Sequence, residues 1–242
     1  MNTHRSAAIF TGIMFICATV SAMLGLLYFY PPILTGPDYL INGAAHTNEV
    51  LLGALMEVIV VLANIGTAIG LFPVLRPYGE RIALGHLLFR FLECVAITVG
   101  IVAILSLLTL SQAFVAAGPP DASAYHTSGT LLLAVYRWTS MLGPLFFLGV
   151  NTLMYSSLLY TSKLVPRPLA VWGITGATLV LCAGMLVLFG ANALSSPTIF
   201  LIAPIGVFEM VFAGWLIVKG FNPAAIASAP AKPGRSEVLS PA

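Results

Sequence analysis

The sequence has very few charged residues. Asp, Glu, Lys and Arg make up only 7% of its 242 residues, whereas a soluble domain carries roughly 25% because its surface must face water. Hydrophobic residues make up 59% of the chain. Since so few charges cannot cover a soluble globule, lipid must cover much of the surface. The composition therefore excludes an ordinary soluble domain and predicts an integral membrane protein.

The chain also lacks the patterns of most metal, cofactor and nucleic-acid sites. Its three cysteines fall in three different apolar runs without C-x-x-C spacing, which favours neither disulfides nor a cysteine metal site. A metal site from His46, Glu49 and His126 lacks a recognised ligand spacing. No G-x-S-x-G, H-E-x-x-H, P-loop or dinucleotide motif is present.

These absences set the expected partners. With a net charge of only +2 and no basic patch interleaved with aromatic residues, nucleic acid is not an expected partner. We predict no cofactor and no metal ion. The expected partners are the lipid bilayer and a small-molecule or lipid ligand, and the sequence does not indicate an oligomeric state.

Six apolar runs are long enough to cross a bilayer, which takes about 20 helical residues. They cover residues 7–30, 48–72, 82–110, 130–159, 169–189 and 198–218. After Gly220 the composition changes to Ala, Pro, Ser and Lys, which is typical of a disordered segment. The predicted fold is an all-α, polytopic bundle of about six transmembrane helices in residues 1–221, followed by a disordered cytoplasmic tail in residues 222–242.

The basic residues indicate the orientation of this bundle. If the chain has six spans, the Lys and Arg residues outside those spans all fall on one side of the membrane. They are Arg5, Arg76, Arg81, Lys163, Arg167, Lys219, Lys232 and Arg235. The loops on the other side contain Asp38 and Asp121 but no Lys or Arg. Because Lys and Arg are enriched in cytoplasmic loops, we expect both termini in the cytoplasm.

The first run has two interpretations. Arg5 and the segment Val20-Ser21-Ala22 loosely match the ends of a cleavable signal peptide. However, the apolar stretch continues to Tyr30, which is longer than the usual 7–15 residues of a signal peptide. We therefore expect a retained helix; cleavage would leave five helices in the same orientation.

Five charged residues lie inside the apolar runs: Glu57, Arg90, Glu93, Arg137 and Glu209. A charge at the centre of a span costs about 2.5–3.5 kcal/mol on insertion scales. Such residues are expected to face the bundle interior, to pair with one another or to line water. Counted along each helix, Glu93 and Glu209 lie near the middle of the membrane.

Helical spacing places these charges beside other polar residues. His86, Arg90 and Glu93 are four and three residues apart, so they share one face of the third helix. Seven-residue spacing joins Glu57 to Asn64 on the second helix. One face of the fourth helix likewise carries Arg137, Pro144, Asn151 and Tyr155. We predict that these faces form a polar interior, with Asn64, Asn151 and Tyr155 as secondary lining.

The interior charges have a structural and a functional interpretation. Arg90 with Glu93, and Arg137 with Glu57, are possible ion pairs that fix helix packing. Three glutamates then face two arginines, which leaves one carboxyl for a proton or ligand. Glu209 is the candidate, because no Lys or Arg lies within two turns of it on its own helix and an apolar environment favours its neutral form.

Three classes of function fit this pattern. The first is a membrane protein that binds or moves a small ligand or a proton through the polar residues Glu57, His86, Arg90, Glu93, Arg137 and Glu209. The second is an intramembrane enzyme acting on a lipid-like substrate, with Glu93 or His86 as general base. The third is a structural or assembly protein whose charges hold helices together. We favour the first class over the enzyme.

Five segments resemble, in the same order, segments of a known family. They are residues 48–57 (NEVLLGALME), 90–93 (RFLE), 142–147 (LGPLFF), 163–173 (KLVPRPLAVWG) and 209–221 (EMVFAGWLIVKGF). The family is the bacterial multi-pass membrane family called "domain of unknown function 4386". The resemblance covers most of the chain except the tail. It implies a bacterial membrane protein, which we expect in the inner membrane, and it supplies no activity.

Overall fold

All regular secondary structure in the described part of the chain is helical. The computed structural model describes residues 3–118, 123–193 and 195–228. The longer helices are α1 (Thr3–Leu24), α4 (Thr47–Leu75), α5 (Glu80–Ala117), α6 (Ser123–Met141), α7 (Leu148–Ser162), α8 (Arg167–Leu188) and α9 (Ser196–Val218). The short helices are α2 (Pro31–Leu34), α3 (Tyr39–Ala45) and α10 (Pro223–Ala227). The all-α prediction is therefore confirmed.

Six helical segments in the described residues are long and apolar enough to span a membrane. They are His4–Phe29, Thr47–Tyr78, Glu80–Ala117, Ser123–Ser162, Arg167–Leu188 and Ser196–Val218. This confirms the predicted polytopic bundle.

Several helices extend beyond the apolar runs: α5 has 38 residues, about 57 Å at 1.5 Å per residue. Because the hydrocarbon layer is about 30 Å thick, α5 must tilt or project beyond it.

The fourth span is one continuous helix with a π-helical segment in its middle. Residues Leu142–Phe147 connect α6 to α7 with the wider π-helical turn. Pro144 lies inside this segment and has no N–H for the helical hydrogen-bond ladder. A π-helical turn holds about one extra residue, which rotates everything beyond it by about 100° relative to a regular α-helix. The segment therefore decides which face each half of the span presents to the bundle.

The spans close into a ring in which α5 is one member. Helix α1 packs against α4 and α9, α8 packs against α7 and α9, and α5 contacts α4, α6 and α7. The first and last spans are thus neighbours. At their shared end the Arg5 guanidinium donates hydrogen bonds to the carbonyl oxygens of Leu216 at 3.2 Å and Ile217 at 2.6 Å. Arg5 thereby satisfies backbone carbonyls that the end of α9 leaves free.

The chain after α9 folds back onto the same end of the bundle. The Asn222 backbone N–H donates to the Leu164 carbonyl at 2.8 Å, and its side chain donates to the Lys163 carbonyl at 3.2 Å. The Tyr78 hydroxyl donates to the Ala225 carbonyl of α10 at 2.8 Å. The first residues of the predicted tail thus form a short, attached helix. The rest of that tail, with Lys232 and Arg235, lies outside the described residues, as does Asp121.

Candidate functional site

The site centres on an ion pair that lies inside the bundle. Arg90 and Glu93 on α5 are only 1% and 3% exposed, as their predicted inward orientation requires. Arg90 Nη1 donates hydrogen bonds to Glu93 Oε1 at 3.1 Å and Oε2 at 3.0 Å. Three residues apart on a helix, the two side chains meet on the same face. Burial makes this pair strongly dependent on additional hydrogen bonds, because both charges have left water.

Amide side chains from two other helices supply those bonds. Asn64 on α4 donates from Nδ2 to Glu93 Oε1 at 3.1 Å. Asn151 on α7 lies against His86 and Arg90, and with its oxygen towards Arg90 it accepts from Nε at 2.8 Å and Nη2 at 3.2 Å. The reverse amide orientation places the Asn151 oxygen against His86 Nδ1 and donates to Glu93 at 3.4 Å, but it turns an N–H towards the guanidinium, which has no acceptor. We therefore assign the first orientation.

The Asn151 orientation also fixes the tautomer of His86. The amide nitrogen donates to His86 Nδ1, so Nδ1 accepts and a neutral imidazole carries its proton on Nε2. His86 is fully buried. We call Asn64, His86, Arg90, Glu93 and Asn151 the polar centre, and it joins helices α4, α5 and α7.

Four buried polar atoms beside the polar centre have no hydrogen-bond partner within the described residues. They are His86 Nε2, Thr152 Oγ1, Tyr155 OH and Ser156 Oγ. The last three belong to one face of α7, because they are spaced three and four residues apart. Leaving a buried polar group unpaired costs about 1–3 kcal/mol. This face of α7 is therefore a place where added polar groups are expected to bind favourably.

Aromatic rings separate the polar centre from the end of the bundle that carries the termini. The Tyr155, Phe208 and Phe212 rings are stacked, with centroids 6.4 Å apart for Tyr155–Phe208 and 5.6 Å apart for Phe208–Phe212. The Phe15 ring lies under the guanidinium, 5.9 Å from Arg90 Cζ. Such a layer keeps the local dielectric low, which strengthens the interactions among the charges.

Glu209 on α9 adds a second carboxyl near the same arginine. The ion pairs within the described residues are Arg90–Glu93 and Arg76–Glu80, so Glu209 belongs to neither. Its hydrogen-bond contact is a long one, 3.5 Å from Thr19 Oγ1 of α1 to Oε2. Arg90 lies close enough to attract the Glu209 carboxylate electrostatically. Glu93 thus binds the guanidinium directly, and Glu209, which is half-buried, is the less compensated of the two carboxyl groups.

Glu57 lies two turns from Asn64 on α4 and forms a separate site. Its carboxylate accepts hydrogen bonds from the Tyr30 hydroxyl at 2.9 Å and from the Tyr136 hydroxyl at 3.3 Å. The two tyrosine rings meet edge to face, with centroids 5.9 Å apart. Neither tyrosine was predicted as a partner of Glu57, because tyrosine is typical of the membrane interface as well as of the core.

Arg137 belongs to neither site. Its side chain is exposed, whereas the neighbouring Tyr136 is buried. The predicted common face of Arg137, Asn151 and Tyr155 therefore does not include Arg137. The reason is the π-helical segment Leu142–Phe147, which lies between them and breaks the seven-residue spacing.

The structure thus divides the predicted site residues into three groups. Asn64, His86, Arg90, Glu93 and Asn151 come together in the polar centre, with Tyr155 and Glu209 beside it. Glu57 lies with the two tyrosines, and Arg137 faces outwards. Within the described ranges, no three His, Cys, Asp or Glu side chains are close enough to hold a metal ion together.

Comparison with known proteins gives one match. The model of a family described as "Domain of unknown function (DUF4386)" matches residues 10–220. Comparison with curated proteins and with solved structures gives no match. The matched region contains both sites and all six spans except the first residues of the first.

Proposed function

The chain belongs to the DUF4386 family, a description that names no activity, and we propose from the geometry that this integral membrane protein binds or moves a small polar ligand or a proton at the polar centre. Glu209 is the exchangeable acid in this proposal. The unpaired polar atoms of His86 and α7 contact the ligand. Arg90 and Glu93 hold the surrounding helices in place.

The observation that carries the proposal is the surplus of polar groups around one arginine. Arg90 is already bonded to Glu93 and Asn151, and Glu209 has no ion-pair partner of its own within the described residues. A second carboxylate in a low-dielectric interior is stabilised by taking up a proton or by a bound group that donates hydrogen bonds. The unpaired hydroxyls of Tyr155 and Ser156 offer further contacts to such a group.

The two other classes of function account for less of this arrangement. A purely structural role explains the Arg90–Glu93 pair and its amide partners but neither Glu209 nor the unpaired atoms on α7. An enzyme with Glu93 as general base requires a carboxylate that is free to take a proton, yet Glu93 accepts from both Arg90 and Asn64. Binding therefore fits the geometry better than catalysis does.

The proposed setting is the inner membrane of a bacterium, with the termini in the cytoplasm. Six apolar helices support a multi-pass membrane protein. The basic residues at the end that carries the termini support the orientation.

The Glu209→Gln variant tests this function. Glutamine keeps the size and a hydrogen bond but cannot exchange a proton, so folding is expected to persist. The measurements are the unfolding temperature of the purified protein at several pH values between 5 and 8, and mass spectrometry of small molecules that remain bound through purification. Wild type is expected to show a pH-dependent unfolding temperature or a retained ligand, and Glu209→Gln to lose that behaviour.

The matched control is Glu49→Gln, which changes an exposed glutamate at the start of α4 and is expected to behave as wild type. If wild type shows neither a retained molecule nor a pH dependence that Glu209→Gln removes, the proposal is wrong and Glu209 is part of the scaffold.

A further inference from the structure

The end of the bundle that carries the termini has a basic cavity that the proposed function does not use. It has a volume of about 570 Å³ and lies between the α7–α8 connection and the end of α9. Three basic side chains line it, Lys163, Arg167 and Lys219, and no Asp or Glu does. All three are exposed, and none of them takes part in an ion pair within the described residues. The cavity therefore presents an uncompensated positive charge.

The walls of this cavity are held in place. Lys163 ends α7 with a left-handed backbone conformation, φ 58°, which is uncommon for a residue with a side chain. Two hydrogen bonds from Asn222 to the Lys163 and Leu164 carbonyls fix this turn. Arg167 lies over the Tyr160 ring, with Cζ 5.5 Å from the centroid. The cations are thus positioned by the fold and do not lie on a free loop.

The cavity lies where the spans leave the apolar layer. Helix α8 begins at Arg167, and α9 ends at Val218, one residue before Lys219. The first turn of α8 adds the positive end of a helix dipole. Trp215 lines the same cavity, and tryptophan is enriched at the level of lipid headgroups. A second groove, lined by His4, Arg5 and Lys219, adjoins the first and again contains no acidic residue.

Position and charge together identify the occupant. Basic pockets between helix ends at the membrane surface are suited to anionic headgroups, and the phosphate of a membrane lipid lies at this depth. We infer that the cavity lined by Lys163, Arg167 and Lys219 binds the phosphate-bearing headgroup of an anionic phospholipid from the leaflet on this side. The acyl chains of that lipid follow the outer surfaces of α8 and α9.

The experiment compares two charge-matched double variants of the full chain. Lys163→Gln/Lys219→Gln removes two cations from the cavity. Arg76→Gln/Arg81→Gln removes two cations from the same end of the bundle but outside the cavity, and Arg76 is paired with the exposed Glu80. Each protein is placed in detergent and titrated with phosphatidylglycerol, phosphatidylcholine or inorganic phosphate. Binding is followed by native mass spectrometry and by the rise in unfolding temperature.

Wild type and the Arg76/Arg81 variant are expected to prefer phosphatidylglycerol over phosphatidylcholine. The Lys163/Lys219 variant is expected to lose affinity by about fivefold for each cation removed, or about 25-fold in total. If both double variants lose affinity equally, the attraction comes from diffuse charge and the inference is wrong. If inorganic phosphate binds as tightly as the lipid, the site takes a free anion and the inference is also wrong. Should the double variant not fold, Arg167→Gln against Arg81→Gln makes the same comparison with one charge.

Discussion

The Arg90 side chain holds the polar centre together through all three nitrogen atoms of its guanidinium. The Arg90 guanidinium donates from Nη1 to Glu93 and from Nε and Nη2 to Asn151. A lysine has no planar fork and cannot make both sets of bonds. The identity of Arg90 therefore follows from geometry as much as from charge.

The sequence predicted this part of the site well, because its information is local. Arg90 and Glu93 are three residues apart, and helical spacing alone places them on one face. The partner of Glu57 was not predictable in the same way. An inventory of charges suggested Arg137, while the actual donors are two tyrosine hydroxyls whose direction depends on how distant helices pack.

Tyr30→Phe tests the role of the tyrosine at Glu57. The substitution removes the 2.9 Å hydrogen bond to the carboxylate from a fully buried ring and leaves the packing unchanged. The free energy of unfolding is expected to fall by about 1–3 kcal/mol, as measured by thermal or chemical unfolding in detergent. The neighbouring Tyr28 is 71% exposed, so Tyr28→Phe is the control and is expected to have no effect. Equal stability of the two variants would contradict the assigned bond.

At the level of helices, the π-helical segment has the largest effect on the site. Periodicity along the fourth span assumes one constant turn, and the insertion at Leu142–Phe147 breaks it. Gly143-Pro144 is a pair that disturbs a helix, but the pair does not by itself specify a π-helical turn or its rotation. The short helices α2 and α3 between the first two spans were also absent from the prediction, because their few residues carry no long apolar period.

Gly12→Ala tests the close approach of the first and last spans. A Cβ atom at Gly12 would lie 2.7 Å from Ile217 Cγ1 and 2.8 Å from the Ala213 carbonyl oxygen. Since a backbone oxygen cannot move away without shifting α9, the free energy of unfolding is expected to fall by about 1–3 kcal/mol. Gly214→Ala on α9 is the control, because a Cβ there meets nothing within 4 Å. If the two variants unfold alike, α1 and α9 are not in tight contact.

At the scale of the whole molecule, the apolar runs along the sequence predicted the number of spans, because crossing a bilayer requires about 20 apolar residues each time. The closing of the spans into a ring could not be predicted from the sequence in the same way. Which helices are neighbours depends on contacts between residues far apart in sequence, such as Arg5 with the end of α9. Such contacts leave no periodic signal in either helix.

The orientation of the bundle is tested by labelling single cysteines in intact cells, after Cys17, Cys94 and Cys182 have been replaced. A cysteine at Asp38 or Ala193 is expected to react with a membrane-impermeant thiol reagent. A cysteine at Arg76 or Lys163 is expected to stay protected until the membrane is opened, since Lys and Arg are retained on the cytoplasmic side. Labelling of either basic turn in intact cells would reverse the orientation.

The contact between the first and last spans has a consequence for biosynthesis. A chain is made and inserted from its N-terminus, so α1 enters the membrane long before α9 exists. Until then, Arg5 has no carbonyl oxygens of α9 to bind and Thr19 has no Glu209. The first helix must therefore wait in lipid or beside the insertion machinery, with half of its partners still untranslated. Ring closure, and with it the environment of Glu209, is completed only when the last span arrives.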